Sequence, residues 1–251
     1  MALLKNLFFK KNVIYINILA PSHFIMKSIL YSLALIPLLH LSSNAQTKNS
    51  IDSLSHQKSI QLNVGTQGIR AEFKYGLASN LALRFGANVV PLKANNVFEI
   101  SGFNSTSKVT ADFYNVHLLA DYVPFESISW LRLEGGLAYF FKGKGNIRIT
   151  PSDNYSYGDL VLTEDQVGYV DLTVDWKGPA PYLGIGIGNI FPRKTFNVNF
   201  DLGTYYLNRP DADIIGTGIL EGNSSQTGQF QSNIKNYRWL PVVQMNFTFK
   251  I

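Results

Sequence analysis

The sequence predicts an all-β fold: a closed antiparallel transmembrane β-barrel of eight strands, with ten as the alternative count. Three observations carry this. From Tyr237 to Ile251 every odd position is apolar or aromatic, while Gln244, Asn246, Thr248 and Lys250 occupy even ones. Alternate side chains of a strand point to opposite faces, so this segment has one apolar face and one polar face. About ten such tilted residues cover the ~25 Å apolar band of an outer membrane. Charged residues make up 16% and aromatic residues 13%, against roughly 25% charged in ordinary soluble proteins. Finally, short connections near Gly76, Pro124 and Asn189 interleave with long ones at 93–106, 143–167 and 207–234. That alternation is expected of short periplasmic turns and long outer loops.

The first 45 residues read as a leader. Residues 1–25 carry Lys5, Lys10 and Lys11 among apolar residues, either as an extended n-region or as residues ahead of a true start at Met26. Residues 26–45 form a secretory signal: Met26-Lys27, an apolar run over 28–41, then Ser43-Asn44-Ala45, with cleavage near Ala45. The run is too short for a spanning helix. A polar periplasmic lead, 46–58, precedes a barrel over 59–251. Removing the leader's four lysines from 22 Lys and Arg leaves 18 against 17 Asp and Glu, so the basic pI of the whole chain implies no nucleic-acid partner. The absence of cysteine removes disulfide scaffolds and thiolate chemistry.

In chain order, strand one is 59–65, with Ile60, Leu62 and Val64 on its apolar face, and Gly65-Thr66-Gln67-Gly68 makes a tight reversal. Strand two, 69–75, sets Ile69, Ala71, Phe73 and Tyr75 against Arg70, Glu72 and Lys74. Strand three, 81–92, sets Leu83, Phe85 and Val89 against Arg84, Gly86 and Asn88. Strand four sets Tyr114, Val116, Leu118 and Tyr122 against Asn115, His117 and Asp121. Strand five sets Leu131, Leu133, Leu137, Tyr139 and Phe141 against Arg132, Glu134 and Gly136. The irregular stretch 143–167 admits strand extensions above the membrane, and 159–173 an extra hairpin. Strand six spans at 181–188; strand seven, 195–206, alternates Phe196, Val198, Phe200 and Leu202 with Asn197, Asn199, Asp201 and Gly203. The stretch 207–234 reads as a second long loop before the last strand.

Alternation alone does not say which face is wet, since a soluble barrel with its apolar side inward shows the same period. Three features favour apolar-out. Aromatics cluster near the ends of the apolar stripes (Tyr75, Tyr122, Tyr139, Tyr206, Tyr237 and Trp239), as an interfacial girdle requires; Trp130 has inward parity. Gly86, Gly136, Gly184, Gly186 and Gly203 fall on the polar face, where a narrow lumen needs room. Charges of both signs share that face: Arg70, Lys74, Arg84, Arg132 and Lys250 oppose Glu72, Asp121, Glu134 and Asp201, with His117 among them. Inside a closed barrel they pair into a plug, because an unpaired buried charge is costly.

Tyr75-Gly76, Arg84-Phe85-Gly86, Pro181-Tyr182-Leu183-Gly184-Ile185-Gly186 and Asp201-Leu202-Gly203 resemble strand-end motifs of the small OmpA-like and OmpX-like outer-membrane barrels of Gram-negative bacteria. The resemblance covers 59–251. It implies export to the periplasm, residence in the outer membrane among its lipids, and assembly by the barrel-insertion machinery. One departure is Ile251, where such chains commonly end in Phe.

Little else suggests chemistry. His117 and Asp121 share a face but stand roughly 13 Å apart along the strand. No serine sits in a nucleophile elbow. Gly184-x-Gly186-x-Gly188 has no helix after it, as a dinucleotide site demands. Asp153, Asp159, Glu164, Asp165, Asp171 and Asp175 make an acidic outer loop without calcium-loop spacing. The expectation is a non-enzymatic barrel with no cofactor or metal, structural or binding an extracellular ligand through its outer loops. Alternatives are a narrow pore for ions or small solutes, and a membrane-embedded lipid hydrolase.

Overall fold

The computed structural model describes residues 54–97, 104–157 and 160–251. Residues 1–25, the signal segment 26–45 and most of the polar lead lie outside the described residues.

Eight antiparallel strands close into a ring: β1 (Lys58–Gly65), β2 (Gly68–Ala78), β3 (Leu81–Asn95), β4 (Ser105–Tyr122), β5 (Leu131–Pro151), β8 (Val170–Ile187), β9 (Phe196–Tyr206) and β11 (Trp239–Lys250). Consecutive members are neighbours, and β11 pairs with β1 to seal the ring, Phe247 opposite Leu62 and Lys250 opposite Ser59. Between β5 and β8 lie β6 (Tyr155–Tyr157), β7 (Leu160–Leu162) and a single helical turn, α1 (Glu164–Val167). Strands β6 and β7 pair only with each other. The extra hairpin weighed for 159–173 therefore adds no staves, and the ring has eight.

The apolar stripes face outward. Phe85, Leu137, Leu183 and Ile69 are 60%, 59%, 72% and 64% exposed, while their strand neighbours Arg84, Ala138, Tyr182 and Arg70 are buried. This excludes the soluble arrangement, in which the apolar side chains would fill the centre. The exposed tyrosines and tryptophans gather toward two levels. Tyr122 and Trp130 lie at the short-turn end, where half-buried Tyr75 packs its edge against His56. Tyr114, Tyr139, Phe141 and Trp239 lie about ten residues further along their strands, with Trp239 against Tyr206 at 4.7 Å. Trp130 points outward despite its parity, because it precedes β5 and alternation does not yet apply.

The long-loop end is more ordered than expected. Strand β4 starts at Ser105, well before Tyr114, and β5 runs through the irregular stretch as far as Pro151. The stretch 207–234 is not one loop: it holds β10 (Asp211–Gly216), a 3-10 segment (Gly218–Gln226) and a helix, α2 (Thr227–Ile234). Strand β10 prolongs β9 alongside β8, with Ile214 opposite Leu172.

The cause lies in a reversal of polarity. A bulge between Phe140 and Gly143 marks the change. Below it the inner face is charged and the outer face apolar. Above it, Ile149, Val170, Leu172 and Ile214 face inward and are buried beneath Phe230 and Ile234 of α2. The outer face there carries ion pairs, Lys142 with Asp112 at 3.0 Å and Arg148 with Asp171 at 2.5 Å. Above the lipid, water lies outside the wall, so the ordinary rule of apolar inside returns. The wall is also uneven: β1 and β2 meet at Gly65 and Gly68, while β3, β4, β5, β8 and β10 rise beyond them.

Candidate functional site

The candidate site is the barrel interior, built from the inward positions of all eight staves. Arg84 of β3 is its hub. Its Nε lies 2.9 Å from Asp121 Oδ1, Nη1 2.7 Å from Asp201 Oδ2 and 3.6 Å from Glu72 Oε2, and Nη2 3.0 Å from Glu134 Oε2. Arg132 Nε donates to Glu134 at 2.9 Å, and its Nη2 pairs with Asp201 and donates to Asn199 at 3.0 Å. Lys74 Nζ stands 3.5 Å from Asp121, and Arg70 Nη1 3.2 Å from Glu72. All eight of these side chains are fully buried. Four cations meet four carboxylates, so the formal charges cancel with His117 neutral.

Polar neighbours add hydrogen bonds to this network. Glu72 Oε2 accepts from Gln61 at 2.7 Å and Asn63 at 3.0 Å. His117 Nε2 sits 2.8 Å from Glu72 Oε1, and its Nδ1 3.4 Å from Asn115 Oδ1. The histidine thus meets a carboxylate of β2 over Gly86 of the intervening β3, and not Asp121 of its own strand. Thr248 donates to Gln61 at 2.9 Å and so ties the last strand into the same network.

Lys250 is the exception among the predicted lumen residues. Its parity is inward, but it ends β11 at the short-turn rim and is exposed, with no carboxylate in ion-pair range among the described residues. At the rim no facing wall covers an inward side chain, and parity stops deciding burial.

Apolar layers lie on both sides of the charges. Toward the long-loop end, Leu119, Ala138, Phe140, Ala180, Tyr182, Tyr205, Leu207 and Val242 form one buried cluster. Its two tyrosines join the layers: Tyr182 donates to Glu134 at 3.1 Å, and Tyr205 accepts from Arg70 at 3.2 Å. At the short-turn end, Ala82, Val123, Ile190 and Phe191 gather with Leu54 beneath the ring. Strand parity does not foretell these layers, because Leu119, Phe140 and Val242 are apolar residues at polar-face positions. Inward glycines make room for the large groups. A Cβ on Gly186 would collide with the Arg132 guanidinium, and one on Gly203 with the Tyr182 ring.

The remaining predicted positions sit elsewhere. Tyr122, Tyr139, Tyr237 and Trp239 are 42%, 49%, 52% and 67% exposed, as a lipid-facing girdle would be. In the acidic outer loop, Asp171 is bound by Arg148 Nε and Nη2, a hydrogen-bonded pairing that holds the guanidinium pKa above its ordinary value, and Asp153 accepts from Asn104 at 2.9 Å. Asp159 lies outside the described residues. No group of three or more His, Asp or Glu in metal-binding proximity occurs among the described residues.

Comparison with known proteins finds a likeness of fold. The crystal structure of CarO from Acinetobacter baumannii matches with a TM-score of 0.57 at 20% identity, covering 81% of this chain and 100% of that one. CarO2 from the same organism matches with a TM-score of 0.55 at 20% identity, covering 78% and 98% respectively. No family model matches the sequence, and no curated protein does.

Proposed function

We propose that the chain is a sealed, non-enzymatic barrel of the outer membrane, in the manner of the small OmpA-like and OmpX-like barrels, with its short turns in the periplasm and a folded cap at the cell surface. The observation that carries this is the filled interior: a charge-balanced core between two apolar layers. A water-filled pore needs a continuous polar path, and eight strands leave space for little more than side chains. The lumen's only described histidine is engaged by Glu72 and Asn115, which argues for a structural part in the network over a hydrolytic one. On this reading the protein meets outer-membrane lipids along its apolar belt, is inserted by the barrel-assembly machinery, and offers its cap to an extracellular ligand.

Purified protein in a planar bilayer should show no discrete openings. Steady conductance of hundreds of picosiemens would favour the pore and overturn the sealed reading. Orientation is separately testable, because the chain has no cysteine. A cysteine at Gln229, exposed on α2, should react with a membrane-impermeant thiol reagent in intact cells. One at Lys194, in the β8–β9 turn, should react only after the membrane is breached.

A further inference from the structure

We infer that the lysines just above the outer aromatic ring bind the phosphates of lipid headgroups in the outer leaflet. This rests on the outer-membrane placement proposed above. Lys93 on β3, Lys142 and Lys144 on β5, and Lys177 on β8 lie on strands that are adjacent or separated only by β4, and all four are exposed. Tyr139 and Phe141 mark the level where apolar contact ends on β5. At ~3.3 Å per residue and ~40° of tilt, Lys142 and Lys144 stand within about 10 Å of that level, the depth of a headgroup layer.

The backbone is shaped for this. A regular strand would turn one of two consecutive residues into the barrel. The bulge between Phe140 and Gly143 instead leaves both Phe141 and Lys142 at the surface, the ring 50% exposed and the lysine side chain 53%. Bulges re-aim side chains in this way. An aromatic at the hydrocarbon edge is thereby followed directly by a cation at phosphate height. The balance of charge fits an anionic ligand as well. At the lysine level the acids are Asp112, paired with Lys142 at 3.0 Å, and Asp175, opposite Lys144 on the neighbouring strand, with Asp211 opposite it on β10. Four lysines against these three acids leave the level net positive where lipid phosphates lie. Each lysine held near an anionic lipid surface adds an attraction that salt screens.

The test uses the full mature chain folded in neutral maltoside micelles and titrated calorimetrically with diphosphoryl lipid A. The wild type should bind it, and a Lys93→Gln/Lys144→Gln/Lys177→Gln variant should bind roughly tenfold or more weakly. A charge-matched control at the other end, Lys58→Gln/Arg193→Gln/Lys194→Gln, should bind as the wild type does. Equal binding by the triple variant, or by dephosphorylated lipid A, would overturn the inference. So would displacement by inorganic phosphate at matched phosphate concentration, which would mark a free-anion site. Folding of each variant is scored by its heat-modifiable gel mobility. Failure of the wild type to insert into plain phosphatidylcholine vesicles would sink the membrane reading itself, and is scored apart from lipid binding.

Discussion

Arg84 stands among four carboxylates, and this sets what its loss would do. Replacing it with Met removes the one cation that touches Asp121, Asp201, Glu72 and Glu134 together. Breaking a buried pair from one side costs about 3–5 kcal/mol, because the partners keep their charge without compensation. Urea unfolding in vesicles should therefore show a loss of about that size for Arg84→Met. Lys250→Met, at the exposed rim, should stay within about 0.5 kcal/mol of the wild type. Gly186→Val tests the same core by crowding. Its added carbons would meet the Arg132 guanidinium, and overpacking of this kind costs about 1–3 kcal/mol. If Gly186→Val unfolds like the wild type, the interior is looser than its contacts imply.

At the scale of elements, the cap hangs on two side chains. Phe230 and Ile234 are the buried residues of α2, packed on Ile149, Val170, Leu172 and Ile214. Truncating such residues to Ala costs about 2–5 kcal/mol each, while the barrel below has its own contacts. The Phe230→Ala/Ile234→Ala variant should be cut by trypsin at Arg209 and Lys235 faster than the wild type, with unchanged barrel mobility on a gel. Equal cleavage rates would mean that the helix is held by something else. The elements differ in how far the sequence shows them. Ile60–Leu62–Val64 and Phe196–Val198–Phe200 alternate cleanly because lipid on one side and a charged interior on the other impose opposite demands. In 105–113 and 170–176 water replaces lipid, the inner and outer preferences exchange, and the period no longer reads as one stripe. The cap is less legible still. Its helix is eight residues long with two buried apolar side chains, too short a pattern to distinguish from a loop. Parity placed Arg70, Glu72, Lys74, Arg84, Asp121, Arg132, Glu134 and Asp201 on one face, but partners on other strands, such as Glu72 for His117, depend on ring closure and register.

The whole molecule is a ring whose seam joins β1 to β11 and whose charges pair across it. Gln61 and Thr248 meet at the seam from positions 187 residues apart, and Arg84 reaches Asp201 over 117. Such distant partners are slow to find each other. A sheet that is inserted but still open has a charged side with no opposite wall. Most of its carboxylates and guanidiniums would then face hydrocarbon or stray water, a state several kcal/mol above the finished ring for each stranded ion. Zipping the seam and neutralising the interior are consequently one event. Half-made barrels should be scarce at equilibrium, with the transition between free and inserted chain close to all-or-none.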